Sequence, residues 1–411
     1  MTDYSNNTRQ TSMPLEGVRV LEYAVFHAGP GAGAILGDLG AEVIKIEEGT
    51  GDPERYWTMV GGMDLTLPNG ESIWFQISNR NKKGICLDIK KEKGREILHR
   101  LVKEADVFLT NLRKSTKASM GLDYATISRI NPKIIHANIS GYGPEGPFSD
   151  LGAYDPMGQA RSGMMFTTGK DEPALINLGV LDQATAIAAS HAILTALFFR
   201  ERHGIGQEVH VSLYSTGLWL LYGNMVMMGG LSIDPNVEWD RSLNSPLRNR
   251  FCCKDGNWII GTHHPEDKYW PAFCEATDQT AILSDPRFAD NAGRIENCPE
   301  LVALFDEVFA SKTRDEWMDI FREHRLMFSP VQRVQEVLTD PQALINDYVV
   351  DFEAPTSDKV KIPGYPVHFS ATRAGTRSVA PTLGEHTDPI MRQMGYTNQE
   401  IQKLKKEEVI R

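Results

Sequence analysis

The segment that decides the fold runs from Ala24 to Glu47 and reads AVFHAGPGAGAILGDLGAEVIKIE. The apolar run Val18–Ala24 leads into it and predicts a buried strand. Gly31–Leu39 predicts a short helix, and Ala41–Glu47 predicts a second strand that ends in an acid. A strand, a glycine-rich turn, a helix and another strand are the opening unit of a doubly wound α/β sheet.

The glycines of this segment raise the question of a dinucleotide site. Gly29, Gly31 and Ala34 have G-x-G-x-x-A spacing, and Glu47 stands where such sites carry a ribose-binding acid. In one interpretation the backbone approaches a pyrophosphate at a helix N-terminus, as in an NAD-dependent dehydrogenase. In the other, small residues let the helix pack closely on its sheet, and Pro30 begins it. The segment alone leaves both open.

Composition limits the classes of partner. The chain has 411 residues, so two or three domains are expected. Its 43 basic and 54 acidic residues give a formal charge of -11, without a basic block that could follow a nucleic-acid backbone. Nucleic acid is therefore not an expected partner.

The cysteines and the apolar windows indicate the compartment. The cysteines lack C-x-x-C spacing and predict neither a disulfide framework nor a zinc site, so we expect a cytoplasmic protein without a metal. They are Cys86, Cys252, Cys253, Cys274 and Cys298. Residues 1–14 are polar, lack the apolar centre of a signal peptide and predict a loose tail. The windows Ala184–Phe199 and Gly217–Leu231 fall short of a membrane helix, so we expect no membrane partner.

Strands and helices alternate from Val18 to about Gly217, which predicts a parallel sheet covered by helices. The predicted strands after the opening segment are Gly84–Lys90, Asp106–Asn111, Lys133–Ser140 and Glu208–Leu213, and the predicted helices are Gly94–Ala105, Asp123–Ile130 and Gln183–Arg202. After about Gly230 an Asp-Gly hairpin between 249 and 261 and a capping box at Thr313 indicate a smaller α+β domain. We divide the chain into three segments, residues 1–220, 221–335 and 336–411.

Asp182 is the strongest candidate for chemistry. It stands between an apolar loop and the predicted long helix, where free backbone N–H groups and the positive end of the helix dipole would face its carboxylate. An ordinary N-cap is one interpretation. The other is a carboxylate nucleophile that forms covalent acyl intermediates.

Other polar groups have ordinary structural explanations. His263-His264 lacks further metal ligands at suitable spacing, so a solvated loop is expected. Asn81-Lys82-Lys83 stands before a strand and predicts a solvated turn, with phosphate binding as the alternative. The loop Gly141–Pro147 follows a strand, at the sheet edge where α/β proteins bind ligands. Met225, Met227 and Met228 are core residues or part of an acyl pocket.

Taken in order, short motifs over nearly the whole chain resemble the class III coenzyme A transferase family, also called the CaiB/BaiF type. The matching pieces are Leu15–Leu21, Ala28-Gly-Pro30, Leu39–Glu47 with Gly51–Arg55, Asn81–Lys83, Leu87–Lys90, Ala105-Asp-Val with Asn111, Met120–Asp123, Asn131-Pro, Ser140–Gly143, Gly204–Gln207 and Leu383–Asp388.

The resemblance implies a fold and a reaction. The implied fold is a Rossmann-like large domain made from both chain ends, with a smaller α+β domain and a homodimer of two interlocked rings. The implied reaction moves coenzyme A from an acyl-CoA to a carboxylic acid, with no tightly bound cofactor. By position Asp182 matches the catalytic aspartate, which would form a mixed anhydride and then an aspartyl-CoA thioester. Helix N–H groups near Asp182 would stabilise the oxyanions.

The resemblance also implies contacts by position. Those to coenzyme A are His27, Ala28, Leu87, Lys90, Asn111, Arg113 and Met120, and those to substrate are Gly141, Tyr142 and Tyr154. Glu48 and Ser119 stand where some members have arginines, so Arg113 or Lys117 would bind phosphate instead.

Two alternatives within the superfamily follow from the same motifs. Racemases of this fold place a histidine in a Gly-His-Asp run, where this chain has Ala153-Tyr154-Asp155, so one of two bases is lacking. No glycine run between Asp240 and Asp255 matches oxalate-type members. Asn79–Lys83, Thr110–Arg113 and Gly121–Tyr124 look most like members that act on aryl- or alkyl-2-hydroxy acids.

Overall fold

The structure is a computed structural model and describes residues 12–68, 70–167, 172–233, 240–352 and 360–411. The chain divides into two compact units. The larger is built from both chain ends, up to Val237 and from Asp347, and the smaller spans Glu238–Asn346. Most of the predicted N-terminal tail lies outside the described residues.

A six-stranded parallel sheet forms the centre of the larger unit, as the alternation predicts. Its strands are β1 (Arg19–Tyr23), β2 (Glu42–Glu47), β5 (Lys82–Cys86), β6 (Val107–Thr110), β7 (Ile135–Ser140) and β8 (Gln207–Ser212), and a hairpin of β3 (Met59–Val60) and β4 (Met63–Asp64) stands apart. The order is β5-β2-β1-β6-β7-β8, with every neighbouring pair parallel. The order reverses between β1 and β6, and open α/β sheets bind ligands at that point.

Helices cover both faces of this sheet. In chain order up to Leu231, the helices of the larger unit are α1 (Ala28–Asp38), α2 (Ile73–Asn79), α3 (Glu92–Lys103), α4 (Lys114–Met120), α5 (Tyr124–Ile130), α6 (Asp155–Ser162), α7 (Val180–His203), α8 (Leu213–Leu220) and α9 (Tyr222–Leu231). One apolar core lies under α3 and α5, and the other under α1 and α7. The two helices nearest the site, α1 and α7, begin three residues before their predicted starts at Gly31 and Gln183. His27 is the N-cap of α1, and Gly179 is the N-cap of α7.

The 24-residue helix α7 is longer than the sequence analysis expects. By length and composition it is one helix that could cross a membrane, although 44% of its apolar window is buried inside the protein. A core helix passes the same test, so the finding is weak evidence for a membrane span.

The smaller unit is α+β, as predicted. Its helices are α10 (Glu266–Ala276), α11 (Asn291–Glu296), α12 (Cys298–Phe309), α13 (Arg314–Glu323), α14 (Val334–Val337) and α15 (Pro341–Ile345), around the antiparallel strands β9 (Arg250–Cys252), β10 (Trp258–Gly261) and β11 (Phe328–Val331). The hairpin at Gly256 and the Thr313 capping box are both present. His263 is fully buried between Leu247 O and Met327 N, so the expectation of a solvated loop is wrong there.

The C-terminal part of the chain belongs to the larger unit. It contains β12 (Val349–Phe352), β13 (Val360–Pro363), α16 (Thr387–Gln393) and α17 (Asn398–Lys406). Leu87 forms a β-bridge with Ile410, which joins the chain end to the segment after β5.

Candidate active site

A cavity of about 890 Å³ lies at the reversal point between β1 and β6. Asn111 joins the two strand ends there: its Oδ1 accepts from Val25 N at 3.0 Å and its Nδ2 donates to Val25 O at 2.6 Å. The loops after β1, β6 and β7 all line the cavity, so the fold places chemistry at the edge that the sequence analysis favours.

The glycines of α1 serve packing. A Cβ on Gly31 would lie 3.1 Å from Ala186 of α7, and one on Gly33 would lie 1.9 Å from Glu22 Oε2. Glu47 is buried, and both of its oxygens accept from Arg55, at 2.7 and 2.8 Å. Glu47 is therefore not a free ribose-binding acid, and the glycine spacing reflects close contact between helix, sheet and α7.

A buried group of charges holds the loop between β1 and α1. Parallel pairing sets Glu22 opposite Lys45, and the Lys45 ammonium also bonds Ala24 O at 2.8 Å and Asp52 at 2.9 Å. Lys82 is buried too and pairs with Glu22 at 2.7 Å, so the expectation of a solvated turn is wrong for this residue. A buried charge persists only when opposite charges and hydrogen bonds compensate it, and this network fixes the loop from both ends.

Asp182 lies in the first turn of α7 and lines the cavity. The N-cap is Gly179, with φ of +79°, so the N-cap interpretation of Asp182 is wrong. No hydrogen bond or ion pair engages its carboxylate among the described residues. The side chain is therefore held in place by the helix backbone while its oxygens face the cavity.

Asp155 accepts hydrogen bonds from backbone N–H groups at the start of α7, where the sequence analysis expects oxyanion binding. Its buried carboxylate accepts from Leu181 N at 2.7 Å and from Asp182 N at 3.1 Å, and Gln159 donates to its other oxygen. These two N–H groups are occupied, so they do not serve as the oxyanion donors expected from sequence.

The pKa of Asp182 is raised from its ordinary value of 3.8 to about 7. Burial is the larger cause, and the negative charge of Asp155 is the second. Near neutral pH this carboxyl group therefore exists in both protonation states, which is typical of a reactive group and unusual for a structural one.

His27 lines the same cavity and is buried. Its Nδ1 bonds Ser78 Oγ at 2.7 Å and its Nε2 bonds Gln183 Oε1 at 3.1 Å, next to Asp182 in the chain. Burial lowers the pKa of His27, so the ring is neutral and carries one N–H.

The wall near Asp182 is apolar and aromatic. Phe26, whose φ is +57°, meets the ring of Tyr154 edge-on at 5.1 Å, and Met157 lines the same cavity. The Phe26 N–H donates to Asp52 at 3.2 Å, so the buried charges hold this strained residue in the cavity wall.

Basic residues line the side of the cavity that follows β6. Arg113 and Lys114 are exposed, and Lys117 is half-buried and donates to Asn138. Burial lowers the pKa of Lys117. This side of the cavity is thus suited to an anionic ligand.

The predicted contacts divide into two groups. His27, Ala28, Asn111, Arg113, Gly141 and Tyr154 line the cavity together with Asp182. The others lie outside its lining: Leu87 is in the core, Lys90 pairs with Glu48 at 2.8 Å on the surface, Met120 packs against the core, and Tyr142 contacts Phe148. Their contact with coenzyme A stays a prediction.

The three methionines lie on the exposed helix α9, where no residue is buried. Met225, Met227 and Met228 therefore belong neither to the core of this chain nor to the lining of the cavity.

The sequence analysis missed Asp155, Glu22 and Lys45 as site-building residues. Opposite charges at the centres of two otherwise apolar parallel strands are a usable signal, because such charges must pair when the strands are buried. No comparable signal marks Asp155, which reaches α7 only through the packing of α6.

The chain is similar to known proteins over nearly its whole length. The profile of CoA-transferase family III matches residues 15–387. A (R)-2-hydroxy-4-methylpentanoate CoA-transferase of Clostridioides difficile is 33% identical, covering 97% of this chain and all of its own. A cinnamoyl-CoA:phenyllactate CoA-transferase of Clostridium sporogenes is 33% identical over 98% of both chains. A CaiB/BaiF family protein from Brucella suis has a TM-score of 0.81 at 29% identity, covering 93% of this chain and all of that one.

Proposed function

Because this chain belongs to CoA-transferase family III and is a CoA-transferase, we propose that it moves coenzyme A through covalent intermediates on Asp182. The observation that carries this proposal is the Asp182 carboxylate, which faces the cavity without a protein partner among the described residues and has a pKa near 7. A partner would hold the oxygens away from a thioester. Its absence supports the role of nucleophile.

The reaction balances through two anhydrides. An Asp182 oxygen attacks the thioester carbonyl, the C–S bond breaks, and coenzyme A thiolate leaves a mixed anhydride. The thiolate attacks the aspartyl carbonyl and releases the donor acid, which gives an aspartyl-CoA thioester. The acceptor carboxylate attacks the aspartyl carbonyl of that thioester, the C–S bond breaks, and coenzyme A thiolate leaves a second mixed anhydride. The thiolate then attacks the acceptor's acyl carbon, which gives the new acyl-CoA and frees the Asp182 carboxylate. The N–H groups of Leu181 and Asp182 are bonded to Asp155, and His27 Nε2 is bonded to Gln183 Oε1, so His27 supports the position of the start of α7 around the nucleophile.

The cavity wall supports an apolar acceptor. Phe26, Tyr154 and Met157 offer rings and a thioether, which bind aryl or branched alkyl groups better than short dicarboxylates. The two clostridial relatives are named for 2-hydroxy-4-methylpentanoate and phenyllactate. The acceptor proposed here is an aryl- or alkyl-2-hydroxy acid.

Coenzyme A would lie along the wall made by His27, Ala28 and Asn111, with its phosphates toward Arg113. Arg113 supports phosphate binding because its guanidinium is exposed and lines the cavity. Lys117 is a weaker candidate, since its ammonium already donates to Asn138.

A homodimer is proposed from the apolar surface of α8 and α9. Trp219 is 74% exposed and Leu231 is 68% exposed, and Met225 and Met228 lie between them. A helix that is apolar on all sides and unburied in its own chain is suited to a protein interface. A second copy in the interlocked arrangement is the occupant that the family resemblance implies.

The racemase alternative has less support. Tyr154 occupies the position of the required histidine, and the neighbouring Asp155 caps α7 with its carboxylate. An enzyme that epimerises an acyl-CoA without exchanging coenzyme A between acids would nevertheless overturn the proposal.

The test is an exchange assay with Asp182→Asn. The enzyme is incubated with an acyl-CoA donor and a panel of aryl, branched alkyl and dicarboxylic acids, and new thioesters are separated by chromatography. We expect the variant to lose at least about 10³-fold in exchange rate. Asp319→Asn, an exposed carboxylate in the smaller unit, is the matched control and should keep full activity. Full activity in Asp182→Asn would refute the nucleophile.

A further inference from the structure

Behind the cavity wall lies a buried carboxyl group that the proposed reaction does not use. Glu54 is 0% exposed in the 3-10 turn after β2, and neither of its oxygens forms a well-aligned hydrogen bond within the described chain. An ionised carboxylate is rarely buried without hydrogen-bond donors, because such burial strongly disfavours the charged form. The group is therefore built to carry a proton.

The charges around Glu54 agree with this state. Burial and the charge of Asp52 raise its pKa to about 8, while Lys45, Lys82 and the Ser78 hydroxyl oppose the shift. Ser78 thus lies beside Glu54 and at the same time bonds His27 Nδ1 at 2.7 Å. Glu54, Ser78 and His27 form a line from the buried charges to the cavity.

Donors and acceptors along this line can be assigned by elimination. Gln183 Oε1 only accepts, so His27 Nε2 carries the ring proton and Nδ1 carries the lone pair. Nδ1 must then accept from the Ser78 hydroxyl, whose oxygen in turn is free to accept from a protonated Glu54. We propose that Glu54 and Ser78 are positioning residues that hold His27 in the tautomer whose Nε2–H donates to Gln183, the residue that follows Asp182 in α7.

This proposal rests on the proposed function, because the bond from His27 to Gln183 bears on the reaction only if the neighbouring Asp182 is the nucleophile. When Glu54 ionises it becomes an acceptor, so the Ser78 hydroxyl turns toward it and Nδ1 loses its donor. The ring then favours the Nδ1–H tautomer, and Nε2 presents a lone pair to Gln183 Oε1, so the bond that holds Gln183 beside Asp182 is lost. Arg80, Lys82 and Asp155 also act on His27: the two cations lower its pKa and the carboxylate raises it.

The test is the alkaline limb of the pH profile of kcat/KM, measured as initial exchange rate corrected for uncatalysed thioester hydrolysis. In the wild type we expect a fall of about fivefold between pH 8 and pH 9, as Glu54, whose pKa is about 8, loses its proton. Glu54→Gln keeps a donor for Ser78 at every pH, so its rate should change less than about twofold over that range. Glu104→Gln, an exposed carboxyl group, is the control and should retain the wild-type limb.

Two further measurements keep the test decisive if Glu54→Gln does not fold. Ser78→Ala removes the donor to Nδ1 and should lower kcat/KM by about tenfold or more at pH 7 while removing the limb. NMR of histidine-¹⁵N-labelled protein, with the His27 signals assigned from His27→Gln, should show the Nε2–H tautomer at pH 7 and the Nδ1–H tautomer above pH 9.

The failures can be told apart. An alkaline limb that survives Glu54→Gln would belong to Lys82, whose pKa burial lowers to about 8, and would overturn the proposal. The Nδ1–H tautomer at pH 7 would overturn it as well. Loss of the nucleophile role of Asp182, by contrast, would appear in the exchange assay and leave the tautomer unchanged.

Discussion

Removing the charge of Asp155 should make the enzyme more active in acid. The substitution Asp155→Asn keeps an oxygen that can accept from Leu181 N and Asp182 N but deletes the negative charge beside the nucleophile. The nucleophile must be ionised to attack a thioester, so a lower pKa for Asp182 extends activity to lower pH.

The magnitude follows from the causes of the shift. Asp182 rises from 3.8 to about 7, which corresponds to about 4 kcal/mol at 1.36 kcal/mol per pH unit. Burial is the larger cause, so the charge of Asp155 accounts for less than about 2 kcal/mol, and its removal should lower the pKa by about one unit. At pH 6 the ionised fraction then rises from about one tenth to about one half, a gain of about fivefold in rate.

The assay is kcat/KM for exchange from pH 5 to pH 8. We expect the acid limb to move down by about one unit, with rates that agree within about twofold at pH 8. The new amide faces the donor Nε2 of Gln159, so the free energy of unfolding should fall by about 1–2 kcal/mol. Structural damage alone cannot raise the rate at pH 6. An acid limb that stays in place would refute the electrostatic role of Asp155.

Two further predictions concern stability and assembly. The folded chain binds the Asp182 proton more tightly than the unfolded chain, so the free energy of unfolding falls as pH rises from about 4 through about 7. In urea denaturation, Asp182→Asn should therefore be up to about 4 kcal/mol more stable than the wild type at pH 8, and this difference should vanish toward pH 4. Equal stability at pH 8 would contradict the raised pKa of Asp182. Trp219→Glu places a charge on the exposed α8–α9 surface and should give monomers by sedimentation velocity. The control Met63→Glu changes a residue that is 59% exposed on the β3–β4 hairpin and should leave the dimer intact. A wild type that is itself monomeric would contradict the dimer.

The sheet could be predicted from sequence because local patterns carry it. Alternating apolar strands and helices fixed the parallel α/β class, and strand bounds differ from the structure by at most four residues. The ends of the helices were harder to predict from sequence. Gly179 in the left-handed conformation begins α7 earlier than the apolar pattern indicates, and that shift turns Asp182 from a cap into a first-turn residue.

The candidate site depends on contacts between distant residues, which local patterns do not contain. Asp182 and His27 could be singled out by position and chemistry, but the bond from Asp155 to the start of α7 joins residues 26 and 27 positions apart. Lys82 illustrates the same limit. Its neighbours in sequence are polar and typical of a turn, whereas the fold buries its ammonium against Glu22.

The central claim is that Asp182 becomes covalently linked during turnover, and peptide mass spectrometry tests it most directly. The enzyme is mixed with an acyl-CoA donor, quenched with borohydride and digested, with Asp182→Asn treated in parallel. An aspartyl-CoA thioester is reduced to the alcohol, so the account predicts homoserine in place of Asp182 in the peptide that begins α7, dependent on the donor and absent from the variant. A peptide unmodified at Asp182, from enzyme that is exchanging coenzyme A at full rate, would contradict it.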